Sequence, residues 1–115
     1  TETLKVEDSL IEIGLVNSGG SLVAPTSDAN IDVGVILHYY SGSAKKAAMY
    51  WDDSVSRLVF ADETSENTSV LTASSYADVE FKGLFINDCA GQSQVISCTG
   101  TERFLENITV DGGSF

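Results

Sequence analysis

The 115-residue chain holds one proline (Pro25), one histidine (His38), two cysteines (Cys89 and Cys98) and six lysines plus arginines. Each scarcity excludes something. Six cations against 17 acids leave a formal charge of −11. Nucleic acid and anionic bilayers are both recognised through basic surface, so neither is an expected partner. No apolar run reaches the ~18 residues of a membrane span, and membrane insertion is not expected. One histidine leaves a zinc site short of ligands, and the spacing C-x8-C fits neither the C-x2-C zinc pair nor a redox C-x-x-C. No metal and no cofactor are therefore expected. The two thiols stay open between buried small hydrophobes and a Cys89–Cys98 disulfide, which an oxidising setting would permit.

Nucleophilic catalysis needs Ser or Cys beside His and an orienting acid. Here His38 lies mid-strand beside Tyr39 and Tyr40, where a cross-strand packing role is expected, and no G-x-S-x-G elbow is present. With 43% hydrophobic and 20% charged residues, the composition is that of a folded chain rather than a disordered one. The length suits a single domain, here divided into an N-terminal arm with a first strand (1–16) and a β module (17–115). The first residues carry no basic stretch followed by an apolar one, and the reading is a segment of a longer polypeptide or a matured subunit.

What is abundant is β signal. Short runs rich in Val, Ile, Leu, Phe and Tyr recur between clusters of Gly, Ser, Asn and Asp. Leu10–Val16 alternates as a strand, Asn17–Gly20 turns it, and Ser21–Ala24 stops at Pro25, which cannot donate to a ladder. Ile31–Tyr40, Lys45–Trp51 and Ser56–Ala61, joined by Ser41–Ser43 and Asp52–Ser54, read as an antiparallel meander. Asp62–Ser69 is acidic and polar and is expected to be a loop. Val70–Ala73, Ala77–Leu84, Leu84–Cys89, Gln94–Cys98 and Phe104–Val110 complete the strand candidates. The expected class is all-β, an antiparallel sandwich or open barrel with hairpin meanders. Val33–Leu37 and Leu84–Ile86 are apolar at successive positions, hence on both faces of a sheet. In so small a module that pattern calls for neighbouring copies as cover.

Few residues suggest chemistry. Asp28, Asn30 and Asp32 begin like a calcium loop, but the glycine wanted at its sixth position comes at the seventh, as Gly34, and Tyr39 stands where the terminal Glu is wanted, so a loop feeding a strand is expected. Asp52 and Asp53 are adjacent turn residues rather than carboxylates facing each other across a cleft. No enzymatic activity is expected. Tyr39, Tyr40, Tyr50 and Trp51 are either a glycan-binding platform or core and cross-strand packing. Asn67-Thr68-Ser69 and Asn107-Ile108-Thr109 have the form of glycosylation sequons.

Taken together, Leu4–Asp8, Ile11–Gly14, Asp32-Val33-Gly34-Val35, His38-Tyr39-Tyr40, Lys45–Ser54 with its Trp51-Asp52-Asp53-Ser54 turn, and Arg57-Leu58-Val59-Phe60 resemble modules of tail-fibre-like virion proteins of tailed phages of aquatic bacteria, cyanobacterial phages in particular. Leu84–Gly91 and Asn107–Gly113 are similar to the ends of such modules. The resemblance covers most of the chain and brings no catalytic residues. It implies a structural unit of a virion or extracellular filament, assembled with copies of itself as a trimer or a helical filament. Strand addition by the arm at residues 1–16 would make the contact. The alternative is an adhesive module that binds host-surface carbohydrate.

Overall fold

A computed structural model describes residues 2–85 and 87. The chain divides into two compact units, Thr1–Glu80 and Phe81–Phe115, and all regular structure among the described residues lies in the first. It is entirely β and antiparallel: β1 (Val16–Ser18), β2 (Ser21–Val23), β3 (Val33–Tyr40), β4 (Ala44–Asp52), β5 (Arg57–Asn67) and β6 (Val70–Tyr76). β1 and β2 form a two-stranded sheet, and β3-β4-β5-β6 form a four-stranded meander in chain order. No helix among the described residues is long and apolar enough to cross a membrane.

The turns follow from local chemistry. Gly19 and Gly20 both take positive φ (62° and 90°) between β1 and β2, the geometry of a two-residue turn whose twist matches the strands. Thr68 and Ser69 (φ 51° and 61°) do the same between β5 and β6 without a glycine. There the Ser69 N–H donates to Glu66 Oε2 at 2.8 Å, which helps hold the less favourable backbone. After β4 the Asp52 carboxylate accepts from the Ser54 N–H (3.0 Å) and hydroxyl (2.7 Å), an Asp-led turn of the ordinary kind.

Register sorts the sheet into two faces. Gly34 stands opposite Tyr50, and Tyr50 opposite Val59; Ile36 stands opposite Ala48, and Ala48 opposite Ala61. These share one face. Ala48, Tyr50 and Ala61, each 2% exposed, form its core, with Val59, Leu71 and Ala73 packed against them. Gly34 is required by this packing. A Cβ there would run into the carbonyl oxygen of Met49 and lie 2.5 Å from Tyr50 Cα, so strands β3 and β4 approach closely only because no side chain intervenes.

Asp32, just before β3, bends the sheet back on itself. Its Oδ1 accepts from the Asp53 N–H (2.9 Å), its Oδ2 from the Leu71 N–H (2.7 Å), and its own N–H donates to the Ser69 carbonyl (2.8 Å). The first strand's start is thereby tied to the last strand's start, closing the meander at one point in the manner of an open barrel.

Four segments differ from the sequence reading. Asp62–Asn67 is strand, not loop: β5 runs on and pairs with β6 after a bulge between Ala61 and Thr64. Its acids are not uniformly in water: Asp62 and Glu63 are half-buried and Glu66 is exposed, and Lys45 meets Glu63 at 3.2 Å. Residues 10–15 pair with nothing among the described residues, and of that candidate only Val16 joins a strand; Gly14 at φ 89° interrupts the extended run. Residues 77–84 are irregular beyond the Ala77 N–H to Phe60 carbonyl bond at 2.9 Å, as are residues 84, 85 and 87 of the Leu84–Cys89 candidate. The Gln94–Cys98 and Phe104–Val110 candidates, Cys89, Cys98 and Asn107 lie outside the described residues.

Candidate functional site: the open face of the sheet

The second face of the meander is built by the alternate residues. Val35 stands opposite Met49 and Met49 opposite Phe60; Val33 stands opposite Trp51 and Trp51 opposite Leu58; Leu37 stands opposite Ala47. Val35, Leu37, Met49, Trp51, Phe60 and Leu58 are all exposed, Leu58 by 71%. Their proximity follows from register alone, since directly opposed side chains on one face are neighbours. The result is a contiguous apolar surface on the order of several hundred Å², the range at which exposed patches mark interaction sites.

Its two ends are polar. At the far end the Tyr39 hydroxyl donates to the Asp62 carbonyl (2.6 Å), and Lys45 pairs with Glu63. Asp62 Oδ1 is buried there without a partner. At the near end Gly14 packs on Val33, and the segment around it walls a pocket of about 420 Å³ lined by Val16, Pro25, Ile31, Val33, Trp51, Asp28 and Asp53, among others. Thr26 and Ser27 complete its polar lining. The Asp53 carboxyl is held above its ordinary range, first by partial desolvation and then by Asp28, Asp32 and Asp52. An apolar centre with a polar rim is the anatomy of a binding surface.

The four aromatic candidates are separated rather than gathered. Tyr50 is core, and its hydroxyl is pushed to higher pKa by burial and by Asp52, Asp32 and Tyr76. Tyr40, on the Tyr50 face by alternation, is exposed at the end of β3; Tyr39 and Trp51 are on the open face, and only Trp51 reaches the pocket. His38 is exposed opposite Lys46 rather than packed. Asp28, Asn30 and Asp32 do form a loop feeding a strand. Asp28 Oδ1 accepts from the Asn30 N–H (2.8 Å), and both oxygens of Asp32 are engaged by backbone. Among the described residues no group of acids, histidines and cysteines is arranged to hold a metal ion. Asp52 turns its carboxylate to Ser54. Asn67 is exposed at the tip of the β5–β6 hairpin, where its Oδ1 accepts from the Thr68 hydroxyl at 3.0 Å.

The structural role of Asp32 and the uncovered state of the second face were not readable from local sequence. The only hint of the latter was the double-sided apolar pattern of Val33–Leu37. No protein-family model, no characterised protein and no solved structure matches the chain.

Proposed function

We propose that this chain is a structural module of an assembled extracellular filament of the phage tail-fibre kind, holding neighbouring copies of itself through its meander. The observation that carries the reading is the open face: Val35, Leu37, Met49, Leu58 and Phe60 lie exposed while only Ala48, Tyr50 and Ala61 are fully buried among the described residues. A sheet that buries one face so sparingly and leaves the other apolar is suited to a partner of its own kind. A stable interface takes about 800 Å² from each side, which the face and its rim approach. A closed trimer or an open helical filament both satisfy such contacts. The acids at the rim and in the turns keep the remaining exterior soluble. Sedimentation of the full chain over a wide concentration range tests this. Association that is lost in the Leu58→Asp, Phe60→Asp double variant supports it, and a chain that stays monomeric at the highest concentration overturns it.

A second reading rests on Trp51, a half-exposed indole on the wall of a pocket that also presents Asp28, Asp53, Thr26 and Ser27. Aromatic rings beside carboxylates and hydroxyls suit a sugar, whose apolar face stacks while its hydroxyls donate. Host-surface glycan binding abolished by Trp51→Ala supports an adhesive role, and unchanged binding removes it.

A further inference from the structure

We propose that residues 2–13 of one copy add as an outer strand to the free edge of β3 in a second copy. This rests on the assembly reading above and specifies its contact.

The two edges of the meander are unlike. β6 pairs with β5 through a bulge, and three of its seven residues are the polar Thr72, Ser74 and Ser75. β3 runs for eight residues in unbroken register with β4. It contains no proline, Lys, Asp or Glu, and among the described residues no backbone bond reaches its outer side. Soluble proteins protect such an edge with a bulge, a proline or a charge, and β3 has none of these.

The same chain carries an unpaired segment suited to that edge. Residues 2–13 join no strand, and Leu4 (86%), Leu10 (82%) and Ile11 (70%) are exposed. Unsatisfied strand-forming backbone and unburied apolar side chains thus occur twice in one molecule, once as an edge and once as an arm. Backbone ladders supply the affinity when the two meet, and alternate side chains the specificity.

Charge agrees in sign. The arm bears Glu2, Glu7, Asp8 and Glu12 against Lys5 alone. Across from the far half of β3 stand Lys45, opposite Tyr39, and Lys46, opposite His38. Lys45 already meets Glu63, whereas Lys46 makes no ion pair among the described residues. Two of the chain's six cations thus stand on β4, one strand in from this edge and one on each face of the sheet.

The test is made on the full chain and its variants by sedimentation. Deleting residues 2–13 is expected to raise the dissociation constant at least tenfold. Because a deletion can disturb folding, two charge variants are read beside it. Lys46→Glu alone, and Glu7→Lys with Asp8→Lys alone, should each weaken self-association severalfold at low salt, and mixing the two proteins should restore it, since one then offers a basic arm to the other's acidic edge. Oligomers unchanged by the deletion and by both charge variants, yet dispersed by Leu58→Asp with Phe60→Asp, overturn the arm contact and leave the assembly reading standing. A monomer whose arm amides are protected from hydrogen exchange shows the arm on its own β3 and overturns the exchange between copies. A monomer with an unprotected arm overturns both readings.

Discussion

Met49 and Tyr50 are consecutive residues of one strand, and they live in different environments. Tyr50 points into the closed face, opposite Gly34 and Val59, and is 2% exposed; Met49 points into the open face, opposite Val35 and Phe60, and is 41% exposed. Both faces are apolar, yet among the described residues only the Tyr50 face has a buried patch, around Ala48, Tyr50 and Ala61, and even there Ile36 is 37% exposed. The difference teaches that hydrophobic pattern alone does not say where a core is. A face becomes core when something is tied across it, and here the tie is Asp32, which draws Leu71 and the start of β6 toward β3.

The comparison breaks most severely at the closed face. Tyr50→Ala is expected to cost about 3–5 kcal/mol, the range for emptying a large aromatic site in a core with little else to collapse into it. Gly34→Ala belongs in the same class, about 3 kcal/mol or more, because the added carbon meets strand backbone rather than a side chain that can move. Denaturant unfolding of each variant checks both, and a loss below about 1 kcal/mol for either would show that the closed face is not the stabilising one.

Asp32 comes next. Asp32→Ala removes an ionised acceptor from two backbone N–H groups at once, and a loss of about 3 kcal/mol is expected since hydrogen bonds to charge are worth roughly 1.5–3 kcal/mol each and add imperfectly. Asp32→Asn keeps one carbonyl acceptor and should recover about half of that loss. If both variants are equally stable to the native chain, the curl of the sheet has another cause. Hydrogen exchange of the Leu71 amide gives a local readout of the same bond.

On the open face the expected effects on the dispersed chain are small. Met49→Ala should cost about 1 kcal/mol there, well short of a core methionine, because the residue is already 41% exposed. Under conditions where the chain associates, the same change should cost more. A large loss in the dispersed chain would mean that this face is covered within one molecule and would count against the assembly reading.

Much of the meander was legible in advance. Ile31–Tyr40, Lys45–Trp51 and Ser56–Ala61 alternate or run apolar between clear turn residues, and the strands they form start or end within a residue or two of those limits, except at the end of β5. There Asp62–Asn67 looked like loop because Glu63 and Glu66 are charged, but cross-strand pairing to β6 and the Lys45–Glu63 contact hold a polar strand whose first half, Asp62 to Thr64, is half-buried. Leu10–Ile13 erred the other way. Its residues have strand character, but a strand exists only beside a partner, and among the described residues it has none. The site was less legible still. Asp32 acts on residues 21 and 39 positions away, and no window of local sequence connects them. Tyr39, Tyr50 and Trp51 could be singled out as aromatics, but which of them was core depended on which face was closed.

The smallest effect, and the most diagnostic of charge, belongs to Asp53 at the pocket end of the open face. Partial desolvation and the neighbouring Asp28, Asp32 and Asp52 raise its carboxyl above the ordinary range. The folded chain therefore binds this proton more tightly than the unfolded chain does. Stability contributed at this site falls as pH rises from the unfolded value near ~4 through the raised folded value, and the unfavourable effect is complete above it. Asp53→Asn, which removes the ionisation and nearly preserves the shape, should raise Tm modestly at neutral pH. The gain should shrink as salt screens the four carboxylates and fade as pH falls well below the unfolded value near ~4, where the native carboxyl is protonated in both states. Melting curves of the two proteins across that range separate the possibilities. A gain of equal size at low and neutral pH would trace to amide packing against the pocket wall, and the crowding of carboxylates at this end of the open face would then carry no energetic weight.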